Sequence, residues 1–224
     1  MNEFQAREQI CRVGQSLFAR GYVHATAGNI SVRLDPADGG GFLITPTDAC
    51  LGDLDPARLA RLDDQGQQIS GDRASKTITL HRRIYEKARL FDASTSCVIH
   101  THSTHCVLMS LATQGPELLT PITPYFVMKV GHVPHIPYAR PGDPVTPDRV
   151  GAAIAHYGER NVPIRAVMLA RLGPTVWQDS PAGAMAVLEE LEETARLSFL
   201  ARPAPEPLSE GQIEELRQSL GARW

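Results

Sequence analysis

Cys97-Val98-Ile99-His100-Thr101-His102-Ser103-Thr104-His105 is an apolar run that stops at three histidines spaced two and three apart. Read as the end of a buried strand, it places His100 and His102 on one face by the period-two alternation of a strand, with their imidazoles a few ångströms apart. Two neutral imidazoles so placed suit Zn²⁺, and also Mn²⁺, Co²⁺ or Fe²⁺. The same spacing is equally compatible with polar strand-end histidines bonded to nearby backbone. A metal site needs a third and usually a fourth ligand, so the flanking sequence has to supply them.

Upstream, Gly71-Asp72-Arg73-Ala74-Ser75-Lys76-Thr77 leads into a helix carrying Ile78, Leu80, His81, Ile84 and Tyr85. Ser75 and Lys76 at that helix start offer a hydroxyl, backbone N–H groups and a cation to a phosphate. A capping serine followed by a solvated lysine would look the same. Downstream, Cys106 to Ala112 reads as helix. The proline-rich Thr120 to Tyr125 follows, then Phe126 to Val130 as a strand, extended chain from Val133 to Tyr138, a loop over Arg140 to Pro144, and a helix from Pro147 to Tyr157. His132 and His135 are further ligand candidates, or ordinary loop histidines.

Toward the N-terminus, Phe4, Ile10, Val13, Leu17 and Phe18 have the spacing of an amphipathic helix over residues 3–20, stopped by Gly21. Thr26-Ala27-Gly28-Asn29-Ile30-Ser31 is a small-residue loop feeding an alternating strand. It lets the backbone approach a ligand and offers Thr26, Asn29 and Ser31 as neutral donors, although Gly-Asn is also a common turn. Asp35 to Gly41 reads as a hairpin tip before a strand, Phe42 to Ile44, that runs into Thr45-Pro46-Thr47, a second source of hydroxyls. Asp55 and Pro56 open a helical turn through Leu62, and Gln67 to Ser70 is a short strand.

Toward the C-terminus, Ala166 to Leu169 and Thr175 to Trp177 are strands joined by Arg171-Leu172-Gly173-Pro174. Ser180 and Pro181 then start a long helix with Val187, Leu188, Leu191, Ala195 and Phe199 as its apolar stripe. Glu189, Glu190, Glu192 and Glu193 read as a solvated face. Residues 203–224 form a tail, a proline-rich spacer and then a helix opened by a Ser209–Gln212 capping box.

The chain has 224 residues, 42% apolar and 21% charged, with a net charge of −3. That fits one domain over residues 1–224 and gives no sign of a nucleic-acid partner. The charged N-terminal segment lacks the apolar core of a signal peptide, no run is long enough to span a membrane, and four cysteines without a CxxC pair read as reduced thiols. Together these predict a cytoplasmic location. A helix, then short strands with interspersed helices, predicts an α/β fold with a mainly antiparallel central sheet flanked by helices.

Ala27-Gly28-Asn29-Ile30-Ser31, Thr45-Pro46-Thr47, Ser70-Gly71-Asp72, His100-Thr101-His102, Pro141-Gly142-Asp143 and the Gly173-Pro174 turn together resemble the class II aldolase/adducin family. Lys76, the Ser103-Thr104-His105 continuation, Thr123-Pro124-Tyr125 and Met128-Lys129 look closest to its 3-oxo-tetronate 4-phosphate decarboxylase branch, and the chain is also similar to L-fuculose-phosphate aldolases. The resemblance implies a divalent ion, foremost Zn²⁺ with Mn²⁺ or Co²⁺ as alternatives, held by His100 and His102. It implies a substrate pocket of Gly28, Asn29, Thr45, Ser75 and Lys76 for a small sugar-acid phosphate, catalytic roles for Lys76, Thr77 and Tyr125, and a homotetramer with the site between subunits.

The chain departs from the family pattern twice. Thr77 stands where the family has its acid–base carboxylate, and Leu172 where it has a third ligand histidine. Aldol cleavage needs a base for a hydroxyl proton, whereas a 3-oxo acid loses CO₂ once its carbonyl is polarised. The expectation is therefore a decarboxylase giving a triose ketose phosphate. A sugar-phosphate aldolase with a replacement base and a non-catalytic binding homologue are the alternatives. His24, His105, His132 or His135 could replace the missing ligand, and Lys76, or Tyr125 from a neighbouring subunit, could act as the electrophile.

Overall fold

A computed structural model describes residues 1–224. The elements are α1 (Glu3–Ala19), β1 (Asn29–Arg33), β2 (Phe42–Ile44), β3 (Ala60–Leu62), β4 (Gln68–Ser70), α2 (Ile78–Ala88), β5 (Cys97–His100), α3 (Thr104–Ala112), β6 (His135–Ile136), α4 (Val145–Gly158), β7 (Ala166–Leu169), β8 (Gly173–Gln178), α5 (Pro181–Leu200) and α6 (Glu210–Leu220). The strands form one sheet in the order β4-β3-β2-β1-β5-β8-β7-β6, antiparallel except for the β6–β7 pair. The predicted α/β architecture with a mainly antiparallel sheet is the observed one.

Alternation along the central strands builds two cores. Ile30, Val32, Cys97, Ile99 and Val176 face α1 and α5, while Val98, Trp177 and Val167 face α2 and α4. His100 follows Val98 on the second face, at the strand end where the apolar layer gives out. Helix α2 is fastened there by a polar ladder. Thr77, His81 and Tyr85 recur every four residues, about 6 Å of helix, against Asn29 and Ser31, two residues and about 6.6 Å apart on the strand. Asn29 Nδ2 donates to Thr77 Oγ1 (3.3 Å), and Ser31 Oγ lies 2.7 Å from His81 Nδ1 and 2.8 Å from the Tyr85 hydroxyl. The first step of helix and strand matches, so Thr77 meets Asn29 and His81 meets Ser31, while Tyr85 reaches back to the same serine.

Three local readings are corrected. Phe126–Val130 is a single π-helical turn, not a strand. Thr123 Oγ1 accepts the Phe126 N–H (3.1 Å), and Gly131, at φ 79°, closes the turn by donating to the Phe126 carbonyl (2.9 Å). An apolar run of five cannot reveal its period, and this one buries Phe126, Val127 and Val130 as a turn instead. The helical turn at Asp55 lasts only from Pro56 to Arg58, because Ala60-Arg61-Leu62 then pairs with β2 as β3. The acidic cluster of α5 is not uniformly solvated. Glu192 is buried and accepts the N–H groups of His105 (2.8 Å) and Cys106 (3.0 Å), satisfying donors at the start of α3.

The tail packs on the chain's own core. Ile213 is buried, and Trp224 stacks on His132 with ring centroids 4.1 Å apart.

Candidate active site

Two glycines hold the histidine turn in place. Gly28 (φ 84°) sits so close to β5 that a Cβ would lie 2.7 Å from Val23 Cγ1 and 2.9 Å from the His100 carbonyl oxygen. Gly173 (φ 153°) lies against Thr101, and a Cβ there would overlap the Thr101 carbonyl oxygen. Between them Thr101 N–H donates to the Pro174 carbonyl (3.1 Å), so the turn is gripped from both neighbouring strands.

His100 and His102 project from this turn with ring centroids 5.2 Å apart and planes at 72°. His100 Nδ1 lies 2.9 Å from Thr175 Oγ1, a bond that can hold the ring in the tautomer whose Nε2 is a free lone pair. Burial, and then the neighbouring His102, push the His100 pKa down to about 3. Burial, and then His24, also lower that of His102. Both imidazoles are therefore neutral at physiological pH, the form that ligates a metal.

A divalent ion fits this pair. Two imidazoles on one ion, with bonds of 2.0–2.1 Å and a tetrahedral angle, would keep their centroids roughly 5 Å apart. The fit extends to two ligands, since no third His, Cys, Asp or Glu joins them in a ligating group. His24 comes nearest, its ring 6.3 Å from that of His102 on an exposed loop. The other candidates lie off the cavity wall. His105 Nδ1 is 2.9 Å from Glu192, His132 is stacked on Trp224, and His135 lies in β6 away from the site.

The pair opens onto a cavity of about 590 Å³ whose wall includes Asn29, Thr47, Ser75, Lys76 and Thr77. Thr77 Oγ1 accepts from Asn29 Nδ2 and from Ser75 Oγ, both at 3.3 Å, leaving its own hydroxyl proton for a ligand. Asn29 Oδ1 is buried with no partner, so one end of that amide is also free. With the Lys76 ammonium beside them, these groups form a corner suited to an anion with hydroxyl neighbours. Leu172 lines the same cavity, adding bulk and no ligand.

Of the residues singled out from sequence, Asn29, Ser75, Lys76, Thr77, His100 and His102 are brought together here. Thr45 is not: it is fully buried, and its hydroxyl accepts the Ile30 N–H (3.2 Å). Gly28 shapes the turn beneath the site. Tyr125 lies outside the cavity, 62% exposed. Sequence reasoning missed the roles of Arg140 and Asp143, read only as loop and motif. Their loop forms the facing wall, where Asp143 is the sole carboxylate, held by the Val145 N–H (3.0 Å) and near Arg140 (3.6 Å).

An α/β/α sheet thus brings a neutral histidine pair and a corner suited to an anion to one cavity. The chain belongs to the class II aldolase/adducin family, whose N-terminal domain profile matches residues 8–199. Members of this family generally use a divalent metal and act on small sugar phosphates. The chain is 50% identical to the 3-oxo-tetronate 4-phosphate decarboxylase of Cupriavidus necator over 99% of both chains. It is 38% identical to the enzyme of that name from Escherichia coli K12 over 96% of both. Its fold superimposes on the crystal structure of YgbL from Klebsiella pneumoniae with a TM-score of 0.83 at 42% identity, covering 97% of this chain and 100% of that one. An L-fuculose 1-phosphate aldolase shares the fold at a TM-score of 0.79 and 20% identity. No helix is long and apolar enough to cross a membrane.

Proposed function

We propose that this chain is a carbon–carbon lyase that decarboxylates a 3-oxo-tetronate 4-phosphate to a triose ketose phosphate and CO₂. The observation that carries the reading is one cavity joining a neutral histidine pair to the Lys76–Ser75–Thr77 corner with no unengaged carboxylate. Retro-aldol cleavage needs a base for a substrate hydroxyl, and the only carboxylate on the wall, Asp143, already accepts the Val145 N–H (3.0 Å) beside Arg140. Decarboxylation needs no such base. The C1–C2 bond breaks, its electron pair moves toward the C3 carbonyl, CO₂ leaves, and a proton is added at C2.

In this reading Lys76, Ser75 and Asn29 orient the phosphate, and the Thr77 hydroxyl donates to the substrate. His100 and His102 would hold a divalent ion, Zn²⁺ foremost, whose chemistry when bound is to polarise the 3-oxo group. Tyr125, exposed in one subunit, would reach the cavity of a neighbour in a homotetramer. The whole chain is read as one domain working in the cytoplasm. One observation favours a phosphate-binding homologue without turnover, namely that only two ligands of the usual kinds converge.

Metal analysis and turnover of wild type and His100→Ala test the reading. The wild type is expected to carry a divalent ion and release CO₂, and the variant to do neither. Undiminished turnover in His100→Ala sinks the metal-dependent route, and an inactive wild type with an empty site establishes the binding homologue.

A further inference from the structure

Beside the polar ladder, α2 also lines a second cleft, of about 620 Å³, with Tyr85 on its wall. Residues 79, 82, 86 and 89 recur at three- and four-residue spacing and so form one stripe along the helix, which brings Arg82 and Arg89 to the cleft with Arg83 alongside. Arg33 enters from the end of β1, because the alternation that points Asn29 and Ser31 toward α2 points Arg33 the same way. Four half-buried guanidinium groups from two elements therefore converge.

Their partners are unevenly supplied. Arg83 is saturated by Glu86 (2.9 Å) and Asp148 (2.7 Å). Arg82 lies 5.9 Å over the Phe42 ring and reaches only the Asp64 carbonyl, at 3.4 Å. Arg89 donates to the Thr95 carbonyl (3.0 Å), and the Arg33 guanidinium has no hydrogen-bonded or ionic partner. Burial, and then Arg33, lower the pKa of Arg89, while Asp35 and Asp92 oppose the shift. Asp35 and Asp92 cap their own turns through Ala37 N–H (2.9 Å) and Ser94 N–H (3.1 Å). Glu86 and Asp148 on the cleft wall are taken up by Arg83, and Asp64 there accepts the Gly41 N–H (2.9 Å), so Arg33, Arg82 and Arg89 outnumber the carboxylate left to them and a shared anion offsets their repulsion. The planar fork of arginine matches phosphate oxygens, and the cleft has the volume of a small-ligand site. A net charge of −3 argues against a nucleic acid as the source of the phosphate.

We propose that the Arg33–Arg82–Arg89 cleft binds a small polyanion of the pyrophosphate class, separately from the cavity of His100 and His102. The two share Thr79, Pro144 and Pro147 and diverge from there, one toward His100 and His102 and the other toward Arg33, Arg82 and Arg89. The site does not depend on the decarboxylase reading.

Calorimetric titration of the purified full-length protein with inorganic pyrophosphate tests it, comparing wild type, Arg33→Gln/Arg89→Gln and Lys76→Ala. The expected result is binding by wild type and by Lys76→Ala within about threefold of each other, and at least about tenfold weaker binding by the double variant. No binding at millimolar pyrophosphate, unchanged affinity in the double variant, or an equal loss in both variants overturns the proposal. If the double variant does not fold, Arg82→Gln replaces it, and unchanged affinity in folded Arg82→Gln overturns the proposal as well.

Discussion

His81 makes the polar ladder testable through pH. It is fully buried on α2, with Nδ1 2.7 Å from Ser31 Oγ and Nε2 without a partner. Burial, and then the nearby His100, push its pKa from 6.5 down to about 3. In the unfolded chain the imidazole takes a proton as pH falls through 6.5, whereas in the folded chain it stays neutral until about pH 3. The unfolded state thus binds more protons in that window, and stability falls as pH is lowered by roughly 1.4 kcal/mol per unit for this one group. Between pH 7 and pH 5 the loss from His81 amounts to about 2 kcal/mol. His81→Gln keeps an amide that can bond Ser31 and removes the titration. Urea unfolding of wild type and His81→Gln, both stripped of metal with chelator, measures the difference at the two pH values. His100, itself held near 3 by burial, titrates alike in both proteins and cancels. The wild type is expected to lose about 2 kcal/mol more than the variant on acidification. Parallel losses in the two proteins would refute the reasoning that His81 is sealed and neutral.

Three further substitutions address other parts of the account. Gly173→Ala places a methyl group on the Thr101 carbonyl at φ 153°, so it should cost about 3 kcal/mol or more in chemical denaturation and reduce bound metal through the displaced histidine turn. Glu192→Ala leaves the buried N–H groups of His105 and Cys106 unpaired, and a loss of about 2 kcal/mol is expected, with Glu192→Gln costing less. Lys76→Met should raise KM for the phosphorylated substrate at least about tenfold while leaving the melting temperature unchanged, because it removes a cation from the cavity wall and no packing. An unchanged KM would remove Lys76 from the phosphate corner.

Much of the architecture could be read locally. The amphipathic spacing of α1 and α5, the Ser180–Pro181 start and the Ser209–Gln212 box each depend on neighbours within one or two turns, and each helix forms where those signals stand. The histidine pair was legible from its two-residue spacing at a strand end, although β5 stops at His100 and it is the turn held by Gly28 and Gly173 that brings the His102 ring beside it. What escaped depended on distant chain. The turn at Phe126–Val130 is decided by what its apolar residues bury against, and Glu192 is drawn inside by unpaired N–H groups of a helix 86 residues earlier. Asp143 and Arg140 reach the cavity only because α4 packs on α2. Thr45 looked like a phosphate donor beside Thr47, but it is fully buried at the end of the β1–β2 pair, where its hydroxyl accepts the Ile30 N–H.

The most direct test of the proposed function is ¹³C NMR of a C1-labelled 3-oxo-tetronate 4-phosphate incubated with metal-loaded protein, beside a parallel incubation with L-fuculose 1-phosphate. Labelled CO₂ and bicarbonate appearing together with unlabelled triose ketose phosphate, and no cleavage of the fuculose ester, is the predicted result. Cleavage of the fuculose ester with the labelled acid left intact would contradict it.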